Sequence, residues 1–464
     1  MSEPLALVIV IVIVIGLSGR SRSRNGILLA PLLGGCALLL PQPSLDLVPR
    51  GASLPLPFLA GAARVALTPV SHPVPLAGFG PHPALASEAE SDLHARAVSL
   101  RGSAEIASGV TRVVLVSVDM LVIPRQVARG VRERTSDLSG TRVVVAATHT
   151  HNGIGGFWRG GLPEWASIGA YDAAETARVV SLVALAVHEA VRRERPASVA
   201  WVGTSCHELV ESRVASIRTT DPGLSVLALD DARGAPIARL VFFAAHPTEL
   251  YGTGVLSPAW PGALSSELEA EGGVALLFQQ GLGDQRPAFP PEVYANMGPI
   301  TSSGRVAKSR AYGKTLARRV RQALEEARWS ASAELRFDQA PLDLPPPSLG
   351  ACPIPLLDRA IAVPVVLPYW PRRTHVSALR IGDAVAVFAP FELCAASSLR
   401  AKRELRQAGF REVAVASLAD DWLGYAPDFL PLPWATSGLA SFGGTGMGYT
   451  VGERLVALGD RLRD

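Results

Sequence analysis

The stretch ATHTHNGIGGF, residues 147–157, carries two histidines one residue apart. An imidazole titrates near neutrality and offers a lone pair to metals, so such a pair suits proton transfer or metal binding. The residues before it, TRVVVAA at 141–147, are short, apolar and β-branched, which predicts a buried strand. If the strand runs on through the pair, His149 and His151 face one side and Thr148 and Thr150 the other. Glycines follow at once and permit a tight loop of close approach. Taken alone, the stretch equally describes two hydrogen-bonded histidines closing a strand.

Other reactive side chains also stand where apolar runs stop. RLVFFAAHPTEL (239–250) runs into His246, with Pro247 ending the strand. AVAVFAPFEL (384–393) runs into Glu392, and VAVASLADDWLGYAPD (413–428) into an acidic, aromatic loop bearing Tyr425. Singly these are ordinary: a solvent-facing histidine, a salt-bridged glutamate, a half-buried tyrosine. Brought to one edge they form a His/His/carboxylate set. Catalytic zinc takes such nitrogen and oxygen ligands and keeps a position open for water.

The elements that would position these residues alternate between strand and helix. RVALTPV (64–70), LHARAVSL (93–100) and TRVVLVSVDML (111–121) read as strands, and 123–137 has helical spacing. A long amphipathic helix over 175–194 precedes a strand at 197–206. Further strands surround the helix PGALSSELEAEG, and another helix spans 303–327. A second group of strands covers 333–416, with a hairpin turning at Gly382-Asp383. No period of 20–50 residues recurs, so a solenoid is excluded. The predicted fold class is α/β: a layered domain of mixed β-sheets flanked by helices, with the metal site at the C-terminal ends of strands.

The chain has 464 residues, 48% of them hydrophobic and 18% charged, which describes ample core and no disordered bulk. Its net charge of +3 and the lack of a basic stripe interleaved with aromatics argue against nucleic acid. The apolar run at 5–17 is 13 residues long, short of the roughly 20 that span a bilayer. RSRSR at 20–24 and ILLAPLLGGCALLLP at 27–41 follow it. The segment Leu33-Gly34-Gly35-Cys36 resembles a bacterial lipobox, with Cys36 as the lipidated residue. A two-part membrane anchor or an ordinary export signal reads equally well, and each sends the chain out of the cytoplasm. The expected organisation is residues 1–45 as export signal, lipoprotein signal or anchor, 46–59 as a Pro-rich linker, and 60–464 as the catalytic domain. Cys206, Cys352 and Cys394 are scattered, without a CxxC, and read as buried free thiols more readily than as a disulfide.

ATHTHNGIGGF resembles the metal-binding stretch of the neutral/alkaline, non-lysosomal ceramidase family, and other segments follow in that family's order. ALTPVSHPVPLAGFG and DLHARAVSL look like its N-terminal strand pair, and ESRVASIRTTDP like its arginine motif. VFFAAHPTEL stands where the second metal histidine falls, FQQGLGDQRPAF where the Gly-Asp loop falls, and APFEL and DDWLGY where the carboxylate and tyrosine fall. The resemblance runs from about residue 60 to the C-terminus. It implies that His149, His246, Glu392 and Tyr425 bind Zn2+, that His151 transfers protons and polarises substrate, and that Arg213 contacts substrate or an oxyanion. It also brings Gly155, Asp284, Arg286 and Trp434 to the substrate.

The chain departs from that pattern in several ways. Arg286 stands where the family has a serine before the proline, and Ala259 where an aspartate is expected. Trp434 is nearest in order to the family's tail tyrosine, and the chain is expected to lack the C-terminal immunoglobulin-like domain of larger relatives. A guanidinium at position 286 would draw anionic groups toward the site. The implied function is zinc-dependent hydrolysis of an N-acyl bond in a sphingolipid or related N-acyl compound. The alternative is a catalytically silent, metal-binding exported lipoprotein. The expected partners are an N-acyl lipid or other amide substrate and, through the N-terminus, a membrane surface. The expected location is the periplasm or cell envelope, lipid-anchored or secreted.

Overall fold

A computed structural model of the chain describes residues 57–463 apart from 71–72, 79–83, 103–109, 162–163, 215–216, 290–300, 349–369, 429–441 and 445. The segment 1–45 with Cys36, nearly all of the linker 46–59, Cys352 and Trp434 therefore lie outside the described residues.

The β-branched and apolar runs form two sheets. Strands β1 (Leu59–Ala66), β2 (His94–Arg101), β3 (Arg112–Val118), β4 (Thr141–Ala147), β5 (Arg195–Ser205), β6 (Gly223–Asp231), β7 (Pro236–Phe243) and β8 (Val274–Gln279) make an eight-stranded sheet in the order β8-β7-β6-β5-β1-β2-β3-β4. Strands β9 (Leu335–Asp343), β10 (Arg373–Ile381), β11 (Ala384–Phe388) and β12 (Glu412–Ala416) make a second sheet in chain order. The expected hairpin is the β10–β11 connection, where Ile381 faces Ala384 across Gly382-Asp383 and Gly382 takes a φ of +61°. The first strand lies earlier than the predicted 64–70. Its N-terminal half, Leu59–Ala63, is made of small residues without a period of two, and Pro69 cannot donate to a ladder.

Within these two sheets three strand pairs are parallel: β3–β4, β7–β8 and β11–β12. A parallel pair needs a crossover, and each here contains a helix. These are α1 (Arg125–Arg134) between β3 and β4, α3 (Ala259–Glu269) between β7 and β8, and α5 (Ala395–Gln407) between β11 and β12. The other α-helices among the described residues are α2 (Ala173–Arg192), α4 (Ser302–Leu324) and α6 (Met447–Arg461). The mixed α/β layering is thus the predicted one. No described helix is long and apolar enough to cross a membrane.

The two sheets share one interior. Trp201, Phe242, Phe278 and Phe388 run through it, with ring centroids 6.0, 5.1 and 6.1 Å apart in succession. Leu115, Val144, Leu379 and Ala414 fill the space around them. Each fully buried large side chain contributes roughly 1.5–3 kcal/mol. Helices α1 and α2 cover β1–β4, α3 and α4 cover β5–β8, and α5 and α6 cover the second sheet. Cys206 and Cys394 are buried free thiols.

The C-terminal ends of the parallel pairs are tied together by buried amides. The Gln279 side chain accepts from Ala245 N (3.2 Å) and donates to Thr148 O (3.0 Å), while its own carbonyl accepts from Ser417 N (2.7 Å). Gln280 donates to Gly223 O (2.7 Å) and Phe242 O (2.9 Å) and accepts from Val415 N (3.3 Å). One residue therefore contacts the exits of β4, β7 and β12. Replacing Gln279 by Leu strips partners from two buried backbone groups, at about 1–3 kcal/mol each. Urea denaturation of Gln279→Leu is expected to show a loss of about 2–5 kcal/mol. A loss within measurement error would remove Gln279 from this role.

Candidate metal centre

The histidine pair does not lie on the strand. β4 ends at Ala147, Thr148 N donates to Val118 O (2.9 Å), and His149 N donates to Met120 O (3.0 Å). His149 then takes a φ of +67°, which breaks the side-to-side alternation expected from the spacing. The rings come together through this turn rather than through a shared strand face. His246 follows β7 by three residues, and its N–H donates to Gln285 O at 3.2 Å.

Each histidine is oriented by a backbone carbonyl. Nδ1 of His149 lies 2.6 Å from Leu121 O, Nδ1 of His151 lies 3.1 Å from Gly78 O, and Nδ1 of His246 lies 3.3 Å from Leu282 O. A carbonyl only accepts, so these contacts favour a hydrogen on Nδ1 and aim Nε2 at the cluster, while His246 Nδ1 also faces the donor Arg213 Nη1 at 2.9 Å. Burial, reinforced by His149 and Arg213, holds the pKa of His151 well below its ordinary value. Burial and then Arg213 do the same for His246. The Nε2 atoms converge: His149 to His246 is 3.0 Å and His149 to His151 is 3.4 Å. The three rings offer ligand atoms within 4.8 Å of one another and could hold a metal ion.

Glu392 and Tyr425 meet across a short parallel pairing of Glu392–Leu393 with Tyr425–Ala426. Glu392 is buried, and its Oε2 lies 3.4 Å from His149 Nε2 and 3.8 Å from His246 Nε2. That oxygen has no hydrogen-bond partner. Burial opposes ionisation of Glu392, yet the facing His149 and the donors around it hold its pKa below the usual glutamate range. The Tyr425 ring stacks parallel to His246 with centroids 6.4 Å apart, and burial raises its phenol pKa. Arg213 Nη1 lies 3.3 Å from the Tyr425 hydroxyl and 2.9 and 3.0 Å from the two ring nitrogens of His246. His149, His151, His246, Glu392, Tyr425 and Arg213 thus gather at one point. The donor set fits a divalent ion: imidazole nitrogens, a buried carboxylate oxygen and a phenol.

The residues assigned to substrate stand differently. On the short strand Gln285–Pro287 the flanking residues are buried and Arg286 points out, as strand alternation requires. Its Nε donates to Glu211 Oε1 at 2.8 Å, with both side chains about half exposed (55% and 49%). Its charge is engaged with Glu211 on the surface. Asp284 is buried, and its Oδ1 accepts from Ala395 N (2.8 Å) at the start of α5. Its carbonyl accepts from Arg213 N (2.9 Å), so Asp284 holds the arginine's backbone, and burial raises its pKa to about 6. Gly155 is buried with its N–H on Pro75 O (2.7 Å), and an added Cβ would collide with Ile168 O and Pro75 O.

Sequence reasoning missed the supports of these side chains. Gln279 carries no signal that separates it from any polar residue at a strand end. Gly78 does, since its Cβ would stand 2.5 Å from His151 Nδ1, so the position needs glycine. Trp422, inside DDWLGY, donates from Nε1 to Glu392 Oε1 at 2.9 Å.

Residues 58–259 match the family described as neutral/alkaline non-lysosomal ceramidase, N-terminal. Among curated protein sequences none matches the chain. The fold is similar to that of the neutral ceramidase from Pseudomonas aeruginosa, with a TM-score of 0.72 at 19% identity over 88% of this chain and 75% of that one. It is also similar to a ceramidase structure described as complexed with C2, with a TM-score of 0.70 at 19% identity over the same shares. Residues 58–259 are thus similar to the N-terminal part of the neutral/alkaline non-lysosomal ceramidases, and the described chain shares the fold of a neutral ceramidase.

Proposed function

We propose that the protein is an exported, zinc-dependent amidohydrolase that cleaves the N-acyl bond of a sphingolipid or a related N-acyl compound. The observation that supports this most is the convergence of three imidazoles beside a buried carboxylate oxygen without a hydrogen-bond partner. His149, His246, Glu392 and Tyr425 would hold the zinc. A bound zinc ion supplies a Lewis acid and water acidified to a pKa near 7.

The chain's own groups do the rest. His151 keeps Nδ1 on Gly78 O, which leaves Nε2 to carry a proton to the departing amine. Arg213, fixed through Asp284 O, presents positive charge where the carbonyl oxygen becomes anionic. Burial of His149, His246 and Glu392 strengthens each of these interactions by excluding water. The silent-lipoprotein alternative drew its support from Arg286, which is engaged with Glu211 at the surface. The amide to be cleaved stays a proposal at the level of its class. A membrane surface remains the proposed place of encounter, reached through the N-terminus.

Elemental analysis of the purified protein is expected to give about one zinc per chain. His149→Ala and His246→Ala are expected to lose both zinc and hydrolysis of fluorescent N-acyl substrates. Stoichiometric zinc in the double variant would overturn the ligand assignment.

His151→Ala is expected to keep its zinc while turnover falls by roughly 100-fold or more. Loss of zinc in that variant would make His151 a ligand instead.

A further inference from the structure

We infer that Trp422 is a positioning residue that makes Glu392 a one-oxygen ligand, by occupying Oε1 and turning Oε2 toward His149 and His246. This rests on the metal reading above and deepens it. A carboxylate with both oxygens free can swing or bind a metal through either or both of them. Here Trp422 Nε1 donates to Oε1 at 2.9 Å, and only Oε2 remains, 3.4 and 3.8 Å from the two imidazole Nε2 atoms.

The indole is suited to this task by its chemistry. It donates one hydrogen bond, accepts none through nitrogen and does not titrate. It can neither compete for the metal nor protonate the carboxylate, as a histidine in its place could. A neutral donor also leaves the charge of the ligand set unchanged.

The indole is itself held on several sides. Trp158 meets it edge-on at 5.8 Å and 86°, and Phe442 at 6.2 Å and 88°. Its backbone N–H donates to Asp421 Oδ1 (2.9 Å), and Asp421 accepts from Arg125 Nε (2.8 Å) and Arg125 N (3.2 Å) at the start of α1. The crossover helix of the first parallel pair thereby fixes the carboxylate delivered by the third. Partners of this kind behind a ligand typically change metal affinity 10- to 100-fold when removed.

The test is zinc affinity of the full-length protein, measured by competition with a chromophoric chelator, beside the melting temperature of the zinc-free form. Trp422→Phe is expected to weaken zinc binding about 10- to 100-fold. The tryptophan analogue 3-benzothienylalanine at position 422 keeps the ring's shape but has sulfur in place of N–H. It is expected to weaken zinc to a similar extent while the zinc-free melting temperature stays that of the wild type. Phe442→Leu, which touches the same indole without touching Glu392, is expected to change zinc affinity by less than about threefold. Wild-type affinity in the benzothienyl protein would overturn the inference and leave the metal reading standing, as would equal weakening in Phe442→Leu. A wild-type protein that binds no zinc would overturn both.

Discussion

The amide of Gln279 bonds at once to the exits of β4 and β7, while its backbone carbonyl bonds to the exit of β12. Everything at the candidate metal centre depends on that meeting of strand ends. Each parallel pair can aim only its C-terminal end at a given point, and no single pair carries enough donors for a metal. The first supplies His149 and His151, the second His246, the third Glu392 and Tyr425. A buried amide suits the junction because it donates and accepts, so it can satisfy a carbonyl on one strand and an N–H on another.

The junction also concentrates backbone strain. His149, Leu418 and Asp420 have positive φ values of 67°, 61° and 64°, and all lie where β4 meets the segment after β12. Ala147 N donates to Leu418 O, and Asp420 exchanges bonds with Val145 through its backbone N–H and its carboxylate. Left-handed conformations of this kind cost on the order of 1–3 kcal/mol each and persist where surrounding bonds over-determine them. The strain turns the chain away from the ladder and toward the histidine cluster. A relaxed exit would carry His149 and His151 on along the strand, with no reason to point at His246.

Much of the site was legible because its reactive residues end apolar runs. TRVVVAA, RLVFF and AVAVF announce strands, and His149, His246 and Glu392 follow them within a few residues. Reading stopped where tertiary bonding takes over. Nothing in ATHTHN signals that the strand ends at Ala147, since the deciding bonds go to Val118 and Met120. Arg286 was drawn to the site by its place in the Gly-Asp loop. Alternation along Gln285–Pro287 turns it outward, and that short strand exists only through pairing with Val210–Ser212. Asp284 was legible as important but not for its actual bonds, which hold a helix start and an arginine backbone.

The wide spacing of the proposed ligands has a kinetic consequence. The donors run from residue 149 to residue 425, and no two of the three strand pairs that deliver them are local to each other. Contacts between residues so far apart form late, because the intervening chain must be closed first. A metal ion therefore has no ordered cluster to capture early in folding and cannot serve as a nucleus. Held as proposed, it would join a scaffold whose sheets have already closed. Metal uptake during refolding should follow the slowest sheet-docking phase, and excess zinc should slow unfolding far more than it speeds folding.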